Sequence, residues 1–300
     1  MNNLKPWLSA IRLRTLPLSI SGIIVGTCFA YYNGFFNIAV FVLAILTTVS
    51  LQVLSNLAND YGDGIKGTDN DSRVGPTRAI QSGAITPQQM FEAIKINILI
   101  IILLVFLLLY NAFGNGHFLY ILLFVGLAAF SVYAAINYTM GKSAYGYKGL
   151  GDVFVFIFFG LVSVVGSYFL YAKQLDHHVF LPATALGLLS VGVLNLNNMR
   201  DSETDKQSNK ITLAVKLGSK ASKIYHFILI GGAILISFLF ALLYYSSVLN
   251  FLCFLAYIPL IIHLKNISNA KQPNDFDSQL KVLALTTFLF SILLGVGYIL

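Results

Sequence analysis

A chain of 300 residues that is 57% hydrophobic and only 10% charged, with a mean hydropathy of +0.78, is too apolar for a water-soluble globule, where about a quarter of residues carry charge. The formal net charge of +7 has no basic face interleaved with polar surface, so nucleic acid is set aside as a partner and the charge is assigned to loops beside a lipid bilayer. Cys28 and Cys253 sit inside apolar runs without CxxC or Cys/His spacing, which argues against a disulfide framework or a zinc site. The five histidines fall near segment ends and read as interfacial polar residues.

Basic residues precede the first apolar run, Leu16 to Tyr32. With no small-x-small cleavage site, that run reads as a retained helix rather than a signal peptide. A membrane-spanning helix takes about 20 mostly apolar residues. Nine such spans are expected, at 16–33, 36–58, 90–111, 117–138, 152–172, 179–199, 222–245, 247–264 and 280–300. The expected fold is an all-α bundle of about nine transmembrane helices around a lipid-accessible cavity, in one domain over 1–300. Every Lys and Arg except Lys173, and every acid except Asp176, then falls on one side of the membrane. Positive charge marks the cytoplasmic side, so the N-terminus is expected there and Leu300 outside. Gly22 and Gly26 form a small-xxx-small pattern for close helix packing, and Trp7 reads as an interfacial anchor.

The polar residues concentrate in two stretches. Asn56 to Gly83 holds Asn56, Asn59, Asp60, Asp63, Asp69 and Asp71, followed by Arg73 and Arg78. If span two stays helical this far, its polar residues crowd adjacent turns. The second stretch carries Asn197, Asp201 and Asp205 at i, i+4, i+8, with Arg200, Lys206 and Lys210 close by. The shared Asn-x-x-x-Asp spacing looks like a degenerate internal repeat that sets two acidic helix ends near each other. Facing carboxylates repel unless a cation lies between them, and an all-oxygen donor set without His or Cys selects Mg²⁺ or a similar hard cation. Mg²⁺ completes its shell with water and substrate phosphates, and Arg73, Arg78, Arg200, Lys206 and Lys210 suit the remaining phosphate oxygens. The constellation suits a lipid diphosphate, head at the rim and tail among the helices. Any one Lys reads equally as a topology signal, but topology does not call for acids, and acids near a bilayer core cost about 2.5–3.5 kcal/mol. The loop from Tyr138 to Asp152 is rich in Gly and Tyr and holds Lys142, Tyr147 and Lys148, which suit capping the diphosphate or orienting an aromatic acceptor. No GxxxxGK[ST] or GxGxxG supports nucleotide binding.

These residues resemble the UbiA superfamily of intramembrane aromatic prenyltransferases, and within it the branch acting on 1,4-dihydroxy-2-naphthoate. The resemblance is carried by Trp7 with the run Arg12–Pro17, by Asn56–Asp69, by GPTRAIQSG (Gly75–Gly83), by YKGLGD (Tyr147–Asp152) and by Asn197–Gly218. It covers most of the chain in one order. It implies Mg²⁺ as cofactor, polyprenyl diphosphate and 1,4-dihydroxy-2-naphthoate as substrates, demethylmenaquinone as product with loss of CO₂, and a bacterial inner membrane as location. It implies metal ligands among Asn59, Asp60, Asp63, Asp69, Asn197, Asp201 and Asp205. Asp63, Asp201, Tyr147 and Lys148 would be catalytic, and Asn56, Arg73, Arg78, Lys142, Arg200, Lys206 and Lys210 would hold substrate. The superfamily pattern N-x-x-x-D-x-x-x-D is complete at Asn197, Asp201 and Asp205. At the first motif Gly67 replaces the third member, leaving Asp60 or Asp69 to supply the acid. Other aromatic acceptors (4-hydroxybenzoate, homogentisate, a porphyrin) and transport of an anionic solute are the competing readings. The Gly75–Gly83 and TLAVKLG stretches favour naphthoate. The polar groups sit at one face rather than the midplane, which disfavours transport.

Overall fold

The computed structural model describes residues 4–70 and 74–300, and those residues contain helices and connecting turns but no strand. A short amphipathic helix, α1 (Leu4–Ile11), runs along α3, with Trp7 half-buried beside Leu54 and Ala58. It is followed by α2 (Leu16–Tyr32), α3 (Ile38–Ile65), α4 (Pro87–Phe113), α5 (Phe118–Asn137), α6 (Gly151–Ala172), α7 (Phe180–Gln207) and α8 (Leu213–Leu243). A 3₁₀ segment, Val248–Ala256, leads into α9 (Tyr257–Asn269), and α10 (Pro273–Ile299) closes the bundle. Among the described residues, nine helical stretches are long and apolar enough to cross a membrane, so the chain is a multi-pass membrane protein. A belt of exposed leucines and phenylalanines, including Leu99, Phe106, Leu119, Leu122 and Leu235, faces where lipid would lie.

The expected spans all occur. The departures lie at the charged end of the bundle, where α3 runs on to Ile65 and α7 to Gln207. Both polar stretches are therefore helical for two further turns. At the start of α8, Gly218 breaks the helix with φ 76° and ψ 169°, a left-handed geometry that glycine adopts at no steric cost.

The centre of the bundle is α7, which packs against α2, α6, α8 and α10. Of its most apolar window 67% is buried, against 6% for α5, so α5 is the most lipid-facing wall. Gly22 and Gly26 let α2 lie directly on α6, because a Cβ at either position would strike the Ser163 or Ser167 hydroxyl. Within α6, Phe156–Gly166 winds as a π-helix, a form frequent at functional sites, and it lines a cavity of about 870 Å³. At the other end of the bundle, Asn33 donates to Tyr168 (2.8 Å) and to Asp176 (3.0 Å), and the Asp176 carboxylate also takes the His178 amide. Two histidines differ from the interfacial role expected of them. His226 and His263 are fully buried between α8 and α9, their Nε2 atoms 2.9 Å apart, with His263 Nδ1 3.0 Å from Gln279. The two rings share one polar edge and Gln279 takes the other edge of His263, while His226 Nδ1 stays buried without a hydrogen-bond partner.

Replacing Gly26 with Leu should overpack the α2–α6 contact and cost about 1–3 kcal/mol. Thermal unfolding in detergent should show a clear drop in Tm. Gly126→Ala, where a Cβ meets nothing within 4 Å, should leave Tm unchanged.

Candidate active site

The site begins with how two helices end. At the end of α3, Gly67 takes φ 72° and the chain reverses, so that the Thr68 and Asp69 amides donate to the Asp63 carbonyl at 3.0 and 3.4 Å. An Asp at position 67 would be strained in this conformation. The reversal instead carries the buried Asp69 back to the level of Asp63. At the end of α7, Asn209 takes φ 55° and the Lys210 amide donates to the Asp205 carbonyl at 2.8 Å. Both ends use the left-handed C-cap. On α3 the returning residue is an acid; on α7 it is a lysine.

The two ends meet at that lysine. Lys210 Nζ lies 3.1 Å from Asp63 Oδ2 and 3.6 Å from Asp205 Oδ1. The Tyr147 hydroxyl donates to Asp63 Oδ1 at 2.8 Å and lies 2.6 Å from Thr68 Oγ1. Lys66 Nζ sits 4.1 Å from the Tyr147 ring centroid and donates to the Thr139 carbonyl at 2.6 Å. Burial works against the charge on Lys210, but Asp63 and then Asp205 overcome it and hold the ammonium above the ordinary lysine range. Burial, with a smaller push from Lys210, lowers Lys66 against the pull of Asp63. Burial and then Asp63 raise Tyr147, and burial pushes Tyr138 up to about 12. Both phenols therefore stay protonated and remain hydrogen-bond donors at neutral pH.

A second charged knot lies one turn deeper on α7. Arg200 is fully buried and grips Asp201 through Nε (2.7 Å) and Nη2 (2.8 Å). Its Nη2 also donates to Asn197 Oδ1 (2.9 Å), and its Nη1 to Asp277 of α10 (2.5 Å). Arg200, expected among the substrate ligands, gives four of its five N–H donors to protein partners, neutralising Asp201 and tying α7 to α10.

Other expected residues separate into groups. Asp60 is fully buried and accepts from the Ala79 and Ile80 amides (3.2 and 3.4 Å). It pins Ala79 and Ile80, in the connection before α4, onto α3. Asn56 donates to the Ile11 carbonyl (2.8 Å) and Thr15 Oγ1 (3.1 Å). That contact holds the turn at Arg12, whose φ is 56°; with the Asn59 side-chain amide turned to match its neighbours' donors and acceptors, its oxygen lies 3.3 Å from Arg12 Nη1 and its nitrogen donates to Asp63 Oδ2 at 3.0 Å. Arg78 is half-buried in the same connection. Lys142, Lys148 and Lys206 are exposed, and their ammonium groups are not drawn into the acidic cluster. Arg73 and Asp71 lie outside the described residues. Sequence reasoning missed Arg12, Arg14, Tyr138, Asp277 and Lys281, which line the cavity with Asn59 and Asn197. The Arg12–Pro17 run pointed to the first two. Asp277 and Lys281 are four apart at the start of α10 and carried no signal beyond topology.

Beneath this polar roof the walls are apolar and aromatic, with Leu109, Phe124, Phe154, Phe158 and Phe159 among them. The α5–α6 loop seals against α3 at Gly62, where an added Cβ would lie 2.5 Å from Thr139 Oγ1 and 2.7 Å from its carbonyl carbon. The donor set fits a hard divalent cation: the acids are buried and offer only oxygen, and two of them, Asp63 and Asp205, already share one cationic nitrogen. A charged head and a long apolar tail are both accommodated.

Residues 19–293 match the model of the UbiA prenyltransferase family. The chain belongs to that family. It is 40% identical over 296 residues to a 1,4-dihydroxy-2-naphthoate octaprenyltransferase of Haemophilus influenzae, covering 98% of this chain and 96% of that one. It is 44% identical over 257 residues to the enzyme of the same name from Escherichia coli, covering 85% and 82%. Its fold matches a UbiA homologue from Archaeoglobus fulgidus, solved with GPP and Mg²⁺, with a TM-score of 0.67 at 14% identity, over 98% of this chain and 99% of that one.

Arg200→Met should leave Asp201 buried without its counter-charge. Loss of one partner of a buried pair costs about 3–5 kcal/mol, so Tm should fall sharply. Lys206→Met, at an exposed position, should change stability by less than about 0.5 kcal/mol.

Proposed function

We propose that the protein transfers a polyprenyl group from polyprenyl diphosphate to 1,4-dihydroxy-2-naphthoate, with loss of CO₂, giving demethylmenaquinol, the hydroquinone form of demethylmenaquinone. The observation that carries this reading is that Asp63 and Asp205 share one cation on the same two helices, α3 and α7, whose Asn59 and Asn197 line the apolar cavity, in a chain so similar to naphthoate octaprenyltransferases. Mg²⁺, held by Asp63, Asp69, Asp201 and Asp205 with Asn59 and Asn197 beside them, would supply the charge that stabilises the departing diphosphate. The cytoplasmic side of a bacterial inner membrane is the setting the Lys and Arg distribution supports.

The chain's own residues do the rest. Lys210 and Lys66 sit where phosphate oxygens would lie against the acids, and Arg78 stands in the adjoining connection. The protonated hydroxyls of Tyr147 and Tyr138 add neutral donors as charge develops on the leaving group. The allylic C–O bond breaks with its electron pair going to the diphosphate. The apolar walls keep water from the allylic cation, and their aromatic faces stabilise it. The naphthoate ring carbon supplies the pair for the new C–C bond, and the carboxyl departs as CO₂. Arg14 and Lys281 line the same cavity and suit the acceptor's carboxylate before that loss.

The test is the mass of the lipid product formed by the purified protein from a polyprenyl diphosphate and each acceptor in turn. The expected product is the naphthoate plus the prenyl group minus CO₂. A product from 4-hydroxybenzoate but none from naphthoate would overturn the assignment. Asp63→Ala or Asp201→Ala should lower prenyl transfer at least about 100-fold, the scale expected when a transition-state charge loses its stabiliser, while membrane insertion persists.

A further inference from the structure

The position of Lys210 goes beyond that of a general phosphate ligand. Its ammonium lies between the acids of two helices, 3.1 Å from Asp63 and 3.6 Å from Asp205. Its backbone is fixed: the amide is bound to the Asp205 carbonyl at 2.8 Å, the next amide, of Ile211, to the Tyr147 carbonyl at 3.2 Å, and its own carbonyl accepts from Thr212 at 3.2 Å. A four-carbon stem with rotatable bonds connects that fixed backbone to the head. The head can therefore move by several ångströms while the loop stays in place. The Tyr147 ring centroid, 5.6 Å from Nζ, lies beside it and offers an aromatic face to a moving cation.

A divalent ion coordinated by Asp63 and Asp205 and this ammonium cannot share the same space between the acids, and two cations that close repel. We propose that Lys210 is an internal counter-cation that competes with the divalent ion for the Asp63–Asp205 gap and, when displaced, turns toward the diphosphate that arrives with it. The inference rests on the metal-site reading given above and adds a direction to it. The lysine opposes metal binding by the protein alone and favours metal binding together with diphosphate. It also keeps the two acidic helix ends from repelling each other.

The test uses Mn²⁺ as the probe, titrated by electron paramagnetic resonance into the purified full-length protein in detergent. Without diphosphate, Lys210→Met should bind Mn²⁺ tighter than the wild type by at least about tenfold, because a unit charge a few ångströms from the ion has been removed. Lys220→Met, which removes an exposed charge from the same end of the chain, should stay within about twofold, since screened surface charges act weakly at a distance. With a non-reactive geranyl thiodiphosphate added, the order should reverse, the wild type gaining more Mn²⁺ affinity than Lys210→Met. Equal or weaker Mn²⁺ binding by a folded Lys210→Met protein overturns the inference while leaving the metal site standing. No Mn²⁺ binding by either protein, with or without the thiodiphosphate, overturns the metal-site reading itself. If Lys210→Met does not fold, Lys210→Gln keeps a polar head of similar length and is judged by the same criteria.

Discussion

The constraint on which the rest of this structure depends is the approach of two helix C-termini that both carry acids. The C-terminal end of a helix bears a partial negative charge and favours cations. Here α3 and α7 bring such ends together and add Asp63 and Asp205 to them. This arrangement is unstable without positive charge between the helices. Lys210 supplies it to Asp63 and Asp205, and Arg200 supplies it to Asp201 one turn deeper. The left-handed reversals at Gly67 and Asn209 turn the chain back so that Asp69 and Lys210 lie over the helix ends rather than beyond them. The α5–α6 loop then closes over the pair through the contact of Tyr147 with Thr68 and the close contact of Thr139 with Gly62.

The fold was legible from the sequence because lipid leaves a helical chain few options. Apolar runs of spanning length located all nine stretches, and Gly22 and Gly26 announced the α2–α6 contact. The site was legible as far as helical spacing reaches. Asn59–Asp63 and Asn197–Asp201–Asp205 repeat every four residues, and α3 and α7 continue through them. The expected span ends fell short there because hydropathy sees the polar turns as loop, while capping and tertiary pairing keep them helical. Gly67 looked like a missing ligand in the sequence. Its φ of 72° shows a turn that brings Asp69 back instead.

What the sequence did not disclose depends on tertiary contacts. Asp60 sits next to the acidic motif, but its one-residue offset from Asn59 turns it toward the Ala79 and Ile80 amides. Arg200 has the composition of a phosphate ligand, yet a distant residue, Asp277, completes its pairing. No local pattern links positions 200 and 277. The same holds for His226 and His263, which meet each other inside the bundle rather than at an interface. Below the charged roof, the cavity separates two tasks. Charge is handled at the helix ends, and the aromatic and aliphatic walls of α4, α5 and α6 surround the space where a reactive carbon must stay dry.

The central claim is that the ends of α3 and α7 form one site rather than two, and a double-mutant cycle on metal affinity tests it most directly. Mn²⁺ affinity, measured with a non-reactive prenyl diphosphate present, should fall strongly in Asp63→Asn and in Asp205→Asn. In the double variant it should fall little further, giving an interaction energy above the 0.3–0.5 kcal/mol or so within which independent sites add. Losses that simply add, or a single variant that binds Mn²⁺ like the wild type, would show that the two helix ends act separately and would contradict the account.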